Sequence, residues 1–188
     1  MNLNTDFTYC FLDFLPQIPD ELLFGLHVYK KHKPLVSFVN RQALGKDTKN
    51  SSYQRFDIEG KLRQWLKFNI VHDPIDFGIA FDNIDNVEVD HFPHVDNSRH
   101  YSLNYVITTG GDNVVTNFYQ EDGELVQRDS AFKFVNDYAN LNIIDSVKIP
   151  AGRWVLLNAR VIHGVNNLRT ERNSIQISLG PNNKFIQY

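Results

Sequence analysis

Three residues of this chain have the type and spacing to hold a divalent metal. His94 and Asp96 stand two apart in Pro93-His94-Val95-Asp96. Side chains at i and i+2 share a face of an extended segment, so an imidazole and a carboxylate would reach the same ion. His163, in Ile162-His163-Gly164-Val165, lies far downstream and has to arrive on a neighbouring strand. Neutral imidazole nitrogen with an anionic carboxylate suits Fe(II), Mn(II) or Zn(II), and two imidazoles plus one carboxylate leave the far side of the ion open. His-x-Asp alone is a weak signal, because Asp96-Asn97-Ser98 also reads as a surface turn.

Arg172 sharpens the reading. It follows His163 by nine residues, with Ser174 two further on and on the same face of an extended segment. A guanidinium and a hydroxyl side by side clamp a carboxylate through bidentate, charge-assisted hydrogen bonds. Arg169 competes for that role; the pairing with Ser174 favours Arg172. Among the other histidines, His91 stands three before His94 and faces the other way in a strand. His100 adjoins the next strand, and His27, His32 and His72 have no partner pattern.

The elements that must position these groups are mostly strands. Tyr101–Thr109 alternates cleanly, with Tyr101, Leu103, Tyr105 and Ile107 on one face and Ser102 and Asn104 on the other; only one set points inward. Gly110-Gly111-Asp112-Asn113 turns it into Val114–Tyr119, and Asp122-Gly123 marks another turn. Val147–Ile149, Trp154–Asn158, the His163 segment and Ser174–Leu179 read as further short strands. Upstream, Ile79–Phe81 looks like a strand piece. Ile18–Leu23 carries a helix start, and Asp57–Phe68 has helical periodicity from Ile58 through Leu62, Trp65 and Leu66. Ala43–Arg55 is polar and reads as a loop, and Phe132–Tyr138 reads as helix or irregular. The expected architecture is mainly β with supporting helices, a jelly roll or double-stranded β-helix of cupin-like form. One domain is expected over 1–188, with 1–80 as helical or irregular support and 81–180 as the jelly-roll core.

Bulk properties agree. At 188 residues, 42% hydrophobic and 22% charged, the chain makes one ordinary globular domain. A formal charge of -3 offers no basic surplus for nucleic acid. The only cysteine, Cys10, excludes an internal disulfide and any multi-cysteine metal site, and suits a reducing cytoplasm. No segment has the length or apolarity of a membrane span, and residues 1–6 lack the features of a signal peptide.

Taken in order, His94-x-Asp96, His163 and Arg172-x-Ser174 resemble the Fe(II)/2-oxoglutarate-dependent dioxygenase superfamily. The flanking text, Pro93-His94-Val95-Asp96 with Arg99 and Leu103-Asn104-Tyr105, is similar to its prolyl-hydroxylase-like and aspartyl/asparaginyl-hydroxylase-like branches of bacteria and phages. So is Pro150-x-Gly152-Arg153-Trp154-Val155-Leu156-Leu157-Asn158 leading into His163-Gly164-Val165. The resemblance runs from about Val87 to Leu179. It implies Fe(II) on His94, Asp96 and His163, and 2-oxoglutarate anchored by Arg172 and Ser174. Arg99 and Asn104 are implied in the cosubstrate or substrate pocket, and ascorbate as a possible reductant. Many prolyl hydroxylases carry lysine where Arg172 stands, which argues against a narrow prolyl assignment. The implied reaction hydroxylates an unactivated C–H of a peptidyl residue or small molecule, with succinate and CO2 formed. A cupin-like metal-binding or non-catalytic binding module is the alternative; it has no need of the Arg172/Ser174 clamp. The polar stretches Gly45–Ser52 and Asp122–Ser130 are candidate lids.

Overall fold

The computed structural model describes residues 7–39, 42–43, 46–47, 51–84, 89–91, 93–120, 125–127, 132–135 and 141–181. Its strands are β1 (Tyr9–Phe11), β2 (Val36–Val39), β3 (Gln42–Ala43), β4 (Lys46–Asp47), β5 (Ser51–Asp57), β6 (Asp76–Ile84), β7 (His94–Asp96) and β8 (Tyr101–Thr109). There follow β9 (Val115–Gln120), β10 (Leu125–Gln127), β11 (Phe132–Val135), β12 (Asn142–Val147), β13 (Trp154–Asn158), β14 (Ile162–Asn166) and β15 (Arg172–Leu179). Two α-helices, α1 (Asp20–Leu23) and α2 (Gly60–Asn69), and one 3-10 turn (Leu26–Lys31) complete the described elements.

A seven-stranded sheet, β1-β13-β8-β15-β6-β5-β2, faces a six-stranded one, β10-β11-β7-β14-β9-β12. Every pairing within them is antiparallel. This is the expected jelly-roll, cupin-like architecture, mostly β with two short helices.

Side-chain alternation makes the large sheet two-faced. Its outer face carries Phe56, Phe77, Ile79, Phe81, Leu103, Tyr105, Trp154, Leu156, Ile175, Ile177 and Leu179, packed with Leu62 and Leu66 of α2 and with Leu12, Leu15 and Ile18 of the N-terminal segment. Arg63 of α2 donates to both carboxylate oxygens of Asp57 at 3.0 Å and ties the helix to β5. The inner face is split. Val106, Val155 and Leu157 meet Phe118, Val147 and Ile149 in a small apolar core between the sheets. Beyond it, Tyr53, Asp82, Ser102, Asn104, Arg172, Ser174 and Gln176 line an open cavity.

The structure departs from the sequence expectations at several places, each for a physical reason. Ser51–Asp57 is a strand rather than the end of a loop. Tyr53 and Arg55 point toward the polar interior, so one face of this strand is polar without being solvated. For the same reason residues 1–80 are more than helical or irregular support: β2, β5 and much of β6 extend the large sheet. Asp57 and Ile58 stay outside the helix, which begins at Gly60, where φ is +65°. Phe132–Val135 is a strand held by β7 and β10. On β8 the inward set is Ser102, Asn104 and Val106; Leu103 and Tyr105 belong to the outer core. Of the candidate lids, Lys46–Asp47 forms β4, Ser51 and Ser52 open β5 and Leu125–Gln127 forms β10; the rest, with Asp122-Gly123, lies outside the described residues.

The two faces of β8 give a paired test. Leu103 is fully buried in the outer core, so Leu103→Ala should cost about 2–5 kcal/mol in denaturant unfolding. Asn104→Ala, on the cavity wall, should cost less than about 1 kcal/mol. Equal costs would contradict the two-faced sheet.

Candidate metal centre

The pairing of β7 with β14 sets the site. His94 and His163 are directly opposite in this antiparallel pair, and their ring centroids are 4.6 Å apart. Val95 is buried on the other side of β7, so Asp96 returns to the His94 side. His94 Nε2 lies 3.6 Å from Asp96 Oδ1. One ligand atom from each of His94, Asp96 and His163 falls within 4.8 Å of the others. Three donors this close, two nitrogens and one anionic oxygen, match the set that binds a first-row divalent metal on one side.

Each donor is held from outside. The Nδ1 of His163 lies 2.9 Å from the Val161 carbonyl oxygen. A proton on Nδ1 satisfies that contact and turns Nε2 toward the cluster, as metal-binding imidazoles require. Burial above all, with His94 nearby, pushes the His163 imidazole down to about 4, against the pull of Asp96. It is therefore neutral and ready to ligate at neutral pH. Burial works to raise the Asp96 carboxyl, but Arg99, His94 and His163 overcome it and hold the group well below the usual carboxylate range. Arg99 reaches Asp96 Oδ2 with its Nε at 2.5 Å.

Arg172 opens β15 on the same cavity. Its Nη1 donates to the Thr109 carbonyl at 2.9 Å, which leaves Nη2 and Nε as donors for a carboxylate. Burial pushes this guanidinium below its ordinary value, with Asp82 opposing. Two local features aim it. The β15–β8 register shifts between Asn173 and Ser174, where β8 carries one extra residue, and such bulges redirect side chains. Gly110, at φ +86°, accepts hydrogen bonds from the backbone of Arg169 and Thr170; a Cβ there would meet Leu168 at 2.7 Å and Arg172 at 3.1 Å. Only glycine lets the loop close this tightly against Arg172. Arg169 is exposed. The Ser174 hydroxyl accepts from Gln176 at 3.3 Å, and its own proton can be donated into the cavity. Ser102 donates to the Asn104 amide oxygen at 2.7 Å, so the NH2 is the end Asn104 can offer a ligand.

Thus His94, Asp96, His163, Arg172, Ser174, Asn104 and Arg99 all border one cavity or its floor. Sequence reasoning missed a second group on its wall. His91 Nε2 lies 2.8 Å from Asp82 Oδ1, and Tyr53 packs edge-on against the His91 ring while donating to Gln176 at 3.1 Å. The signal was the alternation of β6, where Asp76, Gly78, Ala80 and Asp82 interleave with Phe77, Ile79 and Phe81. A strand with one apolar and one charged face, inside a covered sheet, faces a polar interior.

No family model and no curated protein matches the chain. Solved structures do. The epimerase SnoN, in complex with Fe3+, alpha-ketoglutarate and nogalamycin RO, is 13% identical with a TM-score of 0.50, over 92% of this chain and 79% of its own. A Pseudomonas putida prolyl-4-hydroxylase is 15% identical with a TM-score of 0.47, over 93% and 94% of the two chains. E. coli ycfD is 18% identical with a TM-score of 0.47, over 94% of this chain and 51% of its own. At these identities the likeness is one of fold alone, a β-rich jelly roll.

His163→Ala or Asp96→Ala should lower Mn(II) affinity by more than about 100-fold, beyond the loss that outer partners cause. His91→Ala, whose imidazole is engaged by Asp82, should stay within about 10-fold of the parent. Calorimetric titration of the metal-free protein reads both.

Proposed function

We propose that the chain is an Fe(II)- and 2-oxoglutarate-dependent dioxygenase. In this reading it hydroxylates an unactivated C–H of a peptidyl residue or small molecule and forms succinate and CO2. One observation carries the reading: a His-Asp-His donor set within 4.8 Å shares its cavity with a buried arginine whose fork is only partly committed.

The residues present fit both groups. Two imidazole nitrogens and one carboxylate suit Fe(II) and leave its cavity side open. Bound Fe(II) with 2-oxoglutarate supplies oxidative decarboxylation coupled to C–H hydroxylation. The protein's share is placement. His94, Asp96 and His163 orient the ion from the β7–β14 side. Arg172, fixed by Thr109, receives the far carboxylate of the cosubstrate through the remaining donors of its fork. Ser174 adds a hydroxyl donor. Val106, Ile149, Leu157 and Val165 supply apolar wall between these ends, which keeps water from the reacting carbon and strengthens each charge interaction. No protein group has to remove a proton in this scheme. A free Cys10 and ferrous iron both suit a reducing cytoplasm, and ascorbate would keep the metal reduced. No described helix is long and apolar enough to cross a membrane.

A cupin-like binding module is the second reading. Arg172 favours the first: beside Asp82 and bonded to the Thr109 carbonyl through Nη1, its buried fork still has donors to offer a carboxylate.

With Fe(II) and ascorbate, the purified protein should convert 2-oxoglutarate to succinate, slowly without substrate, as followed by NMR. Absence of turnover together with absence of 2-oxoglutarate binding would remove the proposal. Arg172→Ala should weaken 2-oxoglutarate binding by roughly 10–100-fold, the worth of hydrogen bonds to a charged group, with metal affinity unchanged. Unchanged cosubstrate affinity would move the anchor elsewhere.

A further inference from the structure

We infer that Arg99 is a positioning residue of the metal centre, holding one oxygen of Asp96 so that the carboxylate offers only the other to the ion. The inference rests on reading His94, Asp96 and His163 as metal ligands. It changes the part given to Arg99, which the resemblance implies in the cosubstrate or substrate pocket.

The geometry divides the two oxygens of Asp96. Oδ2 is taken by Arg99 Nε at 2.5 Å, whereas Oδ1 faces His94 Nε2 at 3.6 Å. The Asp96 side chain is 2% exposed and that of Arg99 12%, so water competes little for either. Asp96-Asn97-Ser98-Arg99 folds back to bring i and i+3 together, and the backbone around it is pinned. Asp96 N donates to the Ala159 carbonyl at 3.0 Å and Ala159 N to the His100 carbonyl at 2.9 Å. Arg160 Nη1 donates to the Asp96 carbonyl at 3.2 Å. The segment that clamps Asp96 is therefore the one that leads into β14 and His163.

The chemical consequence is a matter of coordination number. A carboxylate with both oxygens free can chelate and occupy two positions. Two imidazoles and one oxygen fill three positions of an octahedral ion and leave three. Two imidazoles and a chelating carboxylate leave two, which a chelating cosubstrate would consume entirely. Arg99 favours the first arrangement by giving Oδ2 a charge-assisted partner of its own.

The test uses the metal-free full chain titrated with Mn(II) by calorimetry, then with 2-oxoglutarate once metal is saturating. Arg99→Gln should weaken Mn(II) binding by about 10–100-fold, while 2-oxoglutarate affinity at saturating metal stays within about 3-fold of the parent. Unchanged Mn(II) affinity with weakened 2-oxoglutarate binding would overturn the inference and return Arg99 to the cosubstrate. Unchanged affinity for both would overturn it as well. If Arg99→Gln does not fold, Arg99→Lys carries the test. It keeps the charge without the planar fork and should still weaken Mn(II) binding measurably; parental affinity would overturn the inference. A parent protein that takes up no Mn(II), Co(II) or Fe(II) removes the metal-centre reading itself. That failure is distinct from one seen only in the variants.

Discussion

A single strand pairing governs the chemistry of this molecule. β7 is three residues long and meets β14 with His94 opposite His163. Because side chains alternate across a strand, a slip of one residue would send His163 to the opposite face and leave His94 and Asp96 without the third donor. The register is fixed on both sides. β14 is zipped to β9 from Ile162 to Asn166, and the turn after Asp96 is bound to Ala159 and Arg160. The His94, Asp96 and His163 donor set thus needs no rigid loop of its own; its precision comes from the sheet.

The second constraint is charge in a confined space. Asp82, Asp96, Arg99 and Arg172 are all largely buried, and an unpaired charge there would cost several kcal/mol. Asp96 has Arg99, and Asp82 has His91, with the Arg172 cation close enough to act on it. Arg55 reaches deeper, to Asp76, to the Gln176 carbonyl and to Ser178. Gly78 makes room for it: a Cβ there would collide with the Arg55 guanidinium. Most of the polar face is matched in this way, and Arg172 keeps donors of its fork uncommitted after its bond to Thr109.

What the sequence made legible follows from this division. The outer faces of β8 and β15 announced themselves by apolar alternation and β13 by a continuous apolar run, and the jelly-roll class followed from the number and spacing of such strands. His94, Asp96, His163, Arg172 and Ser174 stood out because their types and order belong together. The inner face was harder. Tyr53 and Arg55 looked like loop because a polar residue on a strand is usually read as solvent-facing. The roles of Asp82 and His91 depend on a pairing between β6 and a distant segment, which local pattern does not encode. Arg99 was visible, but whether it serves Asp96 or a ligand is decided by one turn of backbone.

The N-terminal segment has a consequence for how the chain comes together. β1 lies at one border of the large sheet, with Tyr9 paired to Leu157, while β2 lies at the other border on β5. The intervening strands include β13 and β15, from near the far end of the sequence. Contacts so remote along the chain make closure entropically expensive and folding slow. During synthesis Tyr9–Phe11 leaves the ribosome with its hydrogen-bonding strand still untranslated. The aromatic stretch around it remains an unshielded, aggregation-prone segment until β13 has emerged.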